Sequence, residues 1–144
     1  LPPDQPLALV AGRLVEGKRT DVALAALTLV PDLRVAVAGD GPIGAQLAAR
    51  FPSARFLGRL PRPETLLWIE AADVVVSASI DEGAPTVVRE ARALGTPVVA
   101  VPSGDLLAWA AADPGLTLVA STAAPPPAAR ALRCGSLGLR QGRG

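Results

Sequence analysis

Short apolar runs alternate along most of the chain with stretches in which apolar positions recur every three or four residues. Residues 7–14 (LALVAGRL), 33–38, 54–60, 73–79 (DVVVSAS), 97–101 and 116–120 read as strands. Residues 21–30, 43–51, 63–72, 86–94 and, more briefly, 106–112 read as helices. Continuous apolar strands belong to sheets covered on both faces, and strand–helix alternation makes such a sheet parallel. The pattern predicts an α/β, Rossmann-like, doubly wound parallel sheet of about six strands. Right-handed crossovers would place every strand's carboxyl end on one edge, where ligands of such sheets bind. The loops reaching that edge are residues 13–19, 39–42, 58–61, 79–85 and 102–105.

The periodicity stops near residue 121. Residues 122–144 turn to APPPAAR and then CGSLGLRQGRG, so a folded domain over 1–121 and a Pro/Arg-rich tail are expected. The tail has room for one helix, at 127–133, and its end is expected to be disordered. Aromatic residues are only 3% of the chain, so Val, Leu, Ala and Ile must build the core. A net charge of +1 predicts no nucleic-acid partner. The sum hides an asymmetry: four arginines (Arg130, Arg133, Arg140, Arg143) lie in the tail, leaving ten basic and 13 acidic residues before it.

The single cysteine, Cys134, cannot form an internal disulfide and reads as an incidental thiol. Without histidine no cysteine–histidine metal set is possible, and no metal site is expected. No apolar run approaches the ~18 residues of a membrane span, and no signal peptide is visible, so a cytoplasmic setting is expected. Methionine is absent, even at position 1, so the chain reads as a piece of a longer protein.

Three loops carry candidate chemistry. Residues 39–44 (GDGPIG) match G-x-G-x-x-G between a strand and a helix, the outline of a dinucleotide site. That reading fits poorly. The motif sits on the second βα unit, and the next strand ends at Gly58-Arg59-Leu60 with no acid for a ribose. Arg59 leaves a 2′-phosphate reading open. A tight turn with Pro42 opening a helix accounts for the glycines alone.

In AGRLVEGKRT, Arg13 stands at a strand end and Lys18 just before a helix. Lys18 is the only lysine beside 13 arginines, which suggests a need for a compact charge, although a solvated loop charge fits too. In SASIDEGAPTVVREARALG, the helix opening at Thr86 offers the amides of Ala84, Thr86 and Val87 to an anion. Glu82 lies outside that helix start and Glu90 lies in its second turn. The plainer readings are a turn acid for Glu82 and a surface pair with Arg89 or Arg92 for Glu90. Two cations and a helix start suit a diphosphate, and carboxylates, as pure acceptors, suit sugar hydroxyls. A nucleotide diphospho-sugar fits this set better than a redox cofactor, and no cofactor is expected.

From residue 7 to 120 the order of motifs resembles the donor-binding, C-terminal half of GT-B retaining glycosyltransferases of family 4. The motifs are Gly12-Arg13-Leu14 with Lys18, Gly39-Asp40-Gly41-Pro42, Phe56-Leu57-Gly58-Arg59, Ala72-Asp73-Val74, Glu82-Gly83 with Glu90-Ala91, and Gly95-Thr96-Pro97-Val98-Val99-Ala100. The resemblance implies that Arg13 and Lys18 neutralise the leaving diphosphate and that Glu82 holds the donor sugar. It implies that Glu90 binds the ribose, that backbone at Arg59 and Leu60 meets the base, and that Gly12, Gly39, Gly41, Gly83, Ala84, Thr86 and Val87 line the nucleotide. It implies hexosyl transfer without a metal. One departure is Pro102-Ser103-Gly104-Asp105, where relatives often carry two glycines and a Glu. The family's N-terminal, acceptor-binding domain has no counterpart here, so the chain alone is expected to be inactive. Two rival expectations are half of a nucleotide-sugar epimerase on the same architecture and a non-catalytic nucleotide-binding remnant.

Overall fold

The computed structural model describes residues 4–80 and 85–119. Six strands, β1 (Leu7–Ala11), β2 (Arg34–Ala38), β3 (Arg55–Gly58), β4 (Val74–Ser77), β5 (Val98–Ala100) and β6 (Leu116–Leu118), form one sheet. The order is β3-β2-β1-β4-β5-β6 and every pairing is parallel. The helices are α1 (Thr20–Leu27), α2 (Gly44–Arg50), α3 (Arg62–Ala71), α4 (Thr86–Ala93) and α5 (Leu106–Ala112), and a 3-10 turn spans Glu16–Lys18. This is the doubly wound Rossmann-like sheet that the apolar pattern predicts.

The alternation of side chains across each strand feeds two cores. On one face Ala8, Val10, Val37 and Val74 pack with Leu24 and Leu27 of α1 and Leu47 of α2. On the other, Leu9, Ala36, Val75 and Val98 pack with Ile69 of α3, Val88 and Ala91 of α4 and Leu106 of α5. Leu9, Val74, Val75, Ile69 and Leu106 have no exposed surface. Each such aliphatic side chain stabilises the fold by roughly 1.5–3 kcal/mol. The chain works outward from β1 to β3 and then returns to β4 on the other side of β1. The winding therefore reverses between β1 and β4, and loops diverge there to open a crevice.

Several boundaries differ from the sequence reading. The first strand stops at Ala11, whose partner in β2 is Ala38, and does not run to Leu14. Leu14 is buried, which made it look like strand. Instead its amide donates to the Asp40 carbonyl at 2.8 Å and its carbonyl accepts from the Ile43 amide at 3.2 Å. The Glu16–Lys18 turn has no apolar period to announce it. Helix α1 ends at Leu27 because Pro31 follows closely and Asp32 takes a left-handed conformation, φ 56°. The tail, with Cys134 and its four arginines, lies outside the described residues.

Candidate functional site

The carboxyl ends of β1, β2 and β3 surround a cleft of about 380 Å3, lined by Gly12, Arg13, Ala38, Gly39, Asp40, Arg59, Leu60 and Thr65. The sequence placed five of these, Gly12, Arg13, Gly39, Arg59 and Leu60, at a ligand. Three loops and the first turn of α3 supply the walls. Backbone hydrogen bonds join the loops: Gly12 N–H to the Ala38 carbonyl at 2.9 Å, and Gly39 N–H to the Gly58 carbonyl at 2.8 Å.

The glycines of the GDGPIG motif follow from this stitching. A Cβ on Gly39 would overlap the Gly12 carbonyl, and a Cβ on Gly41 would overlap the Leu14 carbonyl. The loop after β1 lies directly against the loop after β2, with no room for a side chain between them. Gly39 therefore both lines the cleft and carries the neighbouring loop, while Gly41 packs against Leu14 and is not among the cleft's lining residues. Gly44 is different. Its Cβ would meet only the end of the Leu14 side chain, at 3.2 Å.

Arg13 stands in the cleft and Lys18 stands near it. Burial lowers the pKa of the Lys18 ammonium, and the nearby Arg13 cation lowers it further. Two cations held together in a partly desolvated place repel one another, and an anion between them relieves that repulsion. Lys18 ends the Glu16–Lys18 turn, and the left-handed Arg19 (φ 51°) follows it before α1 begins.

Helix α4 starts at Thr86 with Pro85 as its cap residue and no side-chain cap. The amides of Val88 and Arg89 donate to the Pro85 carbonyl, at 3.2 and 3.3 Å. Among the described residues no acceptor is recorded for the amides of Thr86 and Val87, which stand in the first turn, at the positive end of the helix. One turn on, Glu90 is mostly buried and ion-pairs with Arg62 of α3, with Oε1 and Nη1 2.5 Å apart. The sequence suggested Arg89 or Arg92 as surface partners. Arg92 instead clasps Asp113 with two hydrogen bonds, of 2.7 and 2.9 Å, and donates to the Thr96 carbonyl at 2.8 Å. Glu82, Gly83 and Ala84 lie outside the described residues.

Arg13, Arg59 and the glycines thus share one cleft, Lys18 adjoins Arg13, and Thr86, Val87 and Glu90 stand on α4 beyond the cleft wall. Sequence reasoning missed Arg62 and Thr65, one turn apart at the start of α3. Nothing in their local pattern marks them, because their significance comes from what α3 packs beside. It also missed Ser79, just beyond β4, whose buried hydroxyl makes no hydrogen bond. Among the described residues no three acidic, cysteine or histidine side chains cluster in a way that could hold a metal. No described helix is long and apolar enough to cross a membrane.

Comparison with known proteins agrees with this fold. D-inositol 3-phosphate glycosyltransferase of Mycolicibacterium paratuberculosis is 35% identical over 118 residues, covering 74% of this chain and 26% of that protein. The chain thus spans about a quarter of that relative's length. Sucrose-phosphate synthase of Thermosynechococcus elongatus superposes with a TM-score of 0.81 at 26% identity, over 94% of this chain and 37% of that one. The Anabaena protein HepE, solved in complex with UDP-glucose, shares the fold with a TM-score of 0.70 at 22% identity, over 92% of this chain and 39% of its own. The model of one family, Glycosyl transferases group 1, matches residues 5–133, most of the sequence, and the chain belongs to that family.

Proposed function

We propose that this chain is the donor-binding half of a retaining glycosyltransferase, taking a nucleotide diphospho-sugar at the carboxyl edge of its sheet. The observation that carries this reading is a cleft at the carboxyl edge of the sheet lined by Arg13 and Arg59, with Lys18 within electrostatic reach of Arg13, in a member of a glycosyltransferase family. In this reading the pair neutralises the diphosphate as it leaves, helped by the first-turn amides of α4. Leaving-group stabilisation of this kind is the main electrostatic demand of glycosyl transfer from a diphosphate. Glu90 takes ribose hydroxyls, backbone at Arg59 and Leu60 meets the base, and Glu82, with Gly83 and Ala84, takes the sugar. No metal or redox cofactor is needed if the two cations balance the diphosphate. The acceptor belongs to an N-terminal domain of the same enzyme, working in the cytoplasm.

The test is binding of nucleoside diphosphates compared with nucleosides, by calorimetry. Arg13→Ala and Lys18→Ala should each weaken diphosphate binding by roughly 1.5–3 kcal/mol, the range for charge-assisted hydrogen bonds. Nucleoside binding should change little, because a nucleoside offers no phosphate. Equal losses for both ligands would remove the phosphate assignment.

A further inference from the structure

Arg62 contributes to no loop motif, yet it makes the closest ion-pair contact among the described residues. Its guanidinium is largely exposed, whereas only 15% of the Glu90 side chain is exposed. The carboxylate oxygen it approaches, Glu90 Oε1, is fully enclosed and accepts no hydrogen bond. The contact is therefore close but poorly directed for a hydrogen bond: Arg62 supplies charge to Glu90 more than it satisfies Oε1. A buried carboxylate stripped of its cation would carry an uncompensated charge and would turn toward water.

The placement of the pair is equally informative. Arg62 and Thr65 lie three apart on α3 and so share a face, and Thr65 lines the cleft. Glu90 lies one turn beyond Thr86, where α4 begins. The ion pair therefore joins α3 to α4 beside the crevice.

We propose that Arg62 is a positioning residue for nucleotide binding: it holds the Glu90 carboxylate charged and aimed, with a lone pair left open for a hydroxyl of a vicinal diol. The inference rests on the reading of Glu90 as the ribose acceptor. A hydroxyl arriving at Oε1 completes the missing hydrogen bond and breaks none. The exposed guanidinium has solvent to move into, so it can make room at the enclosed Oε1 while staying within Coulomb reach.

The test uses the full chain and calorimetry with UDP, ADP and GDP. Whichever binds most tightly is then compared with its 2′,3′-dideoxy analogue. Arg62→Ala should weaken the ribonucleotide by about three- to tenfold, the scale of a partly exposed charge pair. It should leave the dideoxy analogue within twofold, and Arg62→Lys should recover most of the loss. In a Glu90→Gln background, Arg62→Ala should have no further effect. A merely structural or direct phosphate role for Arg62 would weaken both ligands alike and would persist beside Glu90→Gln; either result overturns the inference while leaving the ribose reading intact. If Glu90→Gln itself weakens both ligands equally, the ribose reading falls and the inference with it. Thermal melts of each variant separate lost binding from lost folding.

Discussion

At the scale of single residues, the partnership of Lys18 with Arg13 has a pH signature. Burial and Arg13 lower the Lys18 pKa from 10.5 in the ligand-free fold. A bound diphosphate favours the protonated ammonium, so it raises that value again. Above the lowered value, binding must take up a proton, and affinity for a nucleoside diphosphate should fall as pH rises through it. Lys18→Arg stays charged throughout and should flatten the fall. Calorimetry between neutral and alkaline pH measures both slopes; a flat wild-type profile would detach Lys18 from the phosphate. The glycines allow a second test. Gly39→Ala forces a Cβ into the Gly12 carbonyl and should cost on the order of 2–4 kcal/mol. Gly44→Ala meets only a flexible leucine end and gains helix propensity in the first turn of α2, so its stability should change by less than about 0.5 kcal/mol. Urea unfolding of the two variants distinguishes a loop–loop packing requirement from a general need for glycine across the motif.

At the scale of elements, the strands were legible because each is a short, continuous apolar run between turn residues. Leu14 shows the limit of that signal. Burial alone does not distinguish a ladder residue from one tucked beneath a loop, and only the turn at Gly12 decides it. The loops of the cleft were legible as well, because strand–helix alternation fixes which ends point to the ligand edge. The cross-element pairs were not. Arg62 reaches Glu90, and Arg92 reaches Asp113, only because the sheet order lays α3 beside α4 and brings the end of α5 beneath α4. Charge patterning along one helix pointed to neighbours on that helix instead.

The Arg92–Asp113 clasp is a prediction at this scale. Its hydrogen bonds hold the Asp113 carboxyl below its ordinary value of 3.8. The side chains are 24% and 30% exposed, so solvent screens the pair in part. Asp113→Asn should cost about 1–2 kcal/mol at neutral pH. A depressed carboxyl stabilises the fold above its unfolded value and loses that contribution as pH falls through its folded value. The gap between wild type and Asp113→Asn should therefore narrow as pH falls below the ordinary value of 3.8, as seen by denaturant melts across an acid pH series.

At the scale of the whole molecule, the cleft is open on one side. On the proposed reading, a donor held there without a covering domain would stay wet, and Arg13 and Lys18 would stabilise a leaving diphosphate less than in a closed site. On the same reading the acceptor is held by another domain, and without it the advantage of two bound reactants would be lost. The chain alone should bind a nucleoside diphosphate and transfer nothing. Radiolabelled donor with a panel of acceptors should show at most slow hydrolysis, and transfer at ordinary enzyme rates would mean that a complete site exists within these residues.

The place of β1 in the sheet bears on how the protein is made. Its Leu7 amide donates to the Asp73 carboxylate at 2.7 Å, and its Ala8 and Leu9 pair with Val74 and Val75 of β4. Among the described strands β1 leaves the ribosome first; β2 can join one of its edges soon after, and β3 the far edge of β2. Its other edge waits for β4, some seconds at the roughly 5–20 residues per second of protein synthesis. Through that interval the future centre of the sheet is an unpaired, strongly apolar margin, open to any passing strand. The exposed edge of β1 before β4 arrives, more than the strands at the finished sheet's rims, is where this topology offers a nascent chain a backbone edge to mispair.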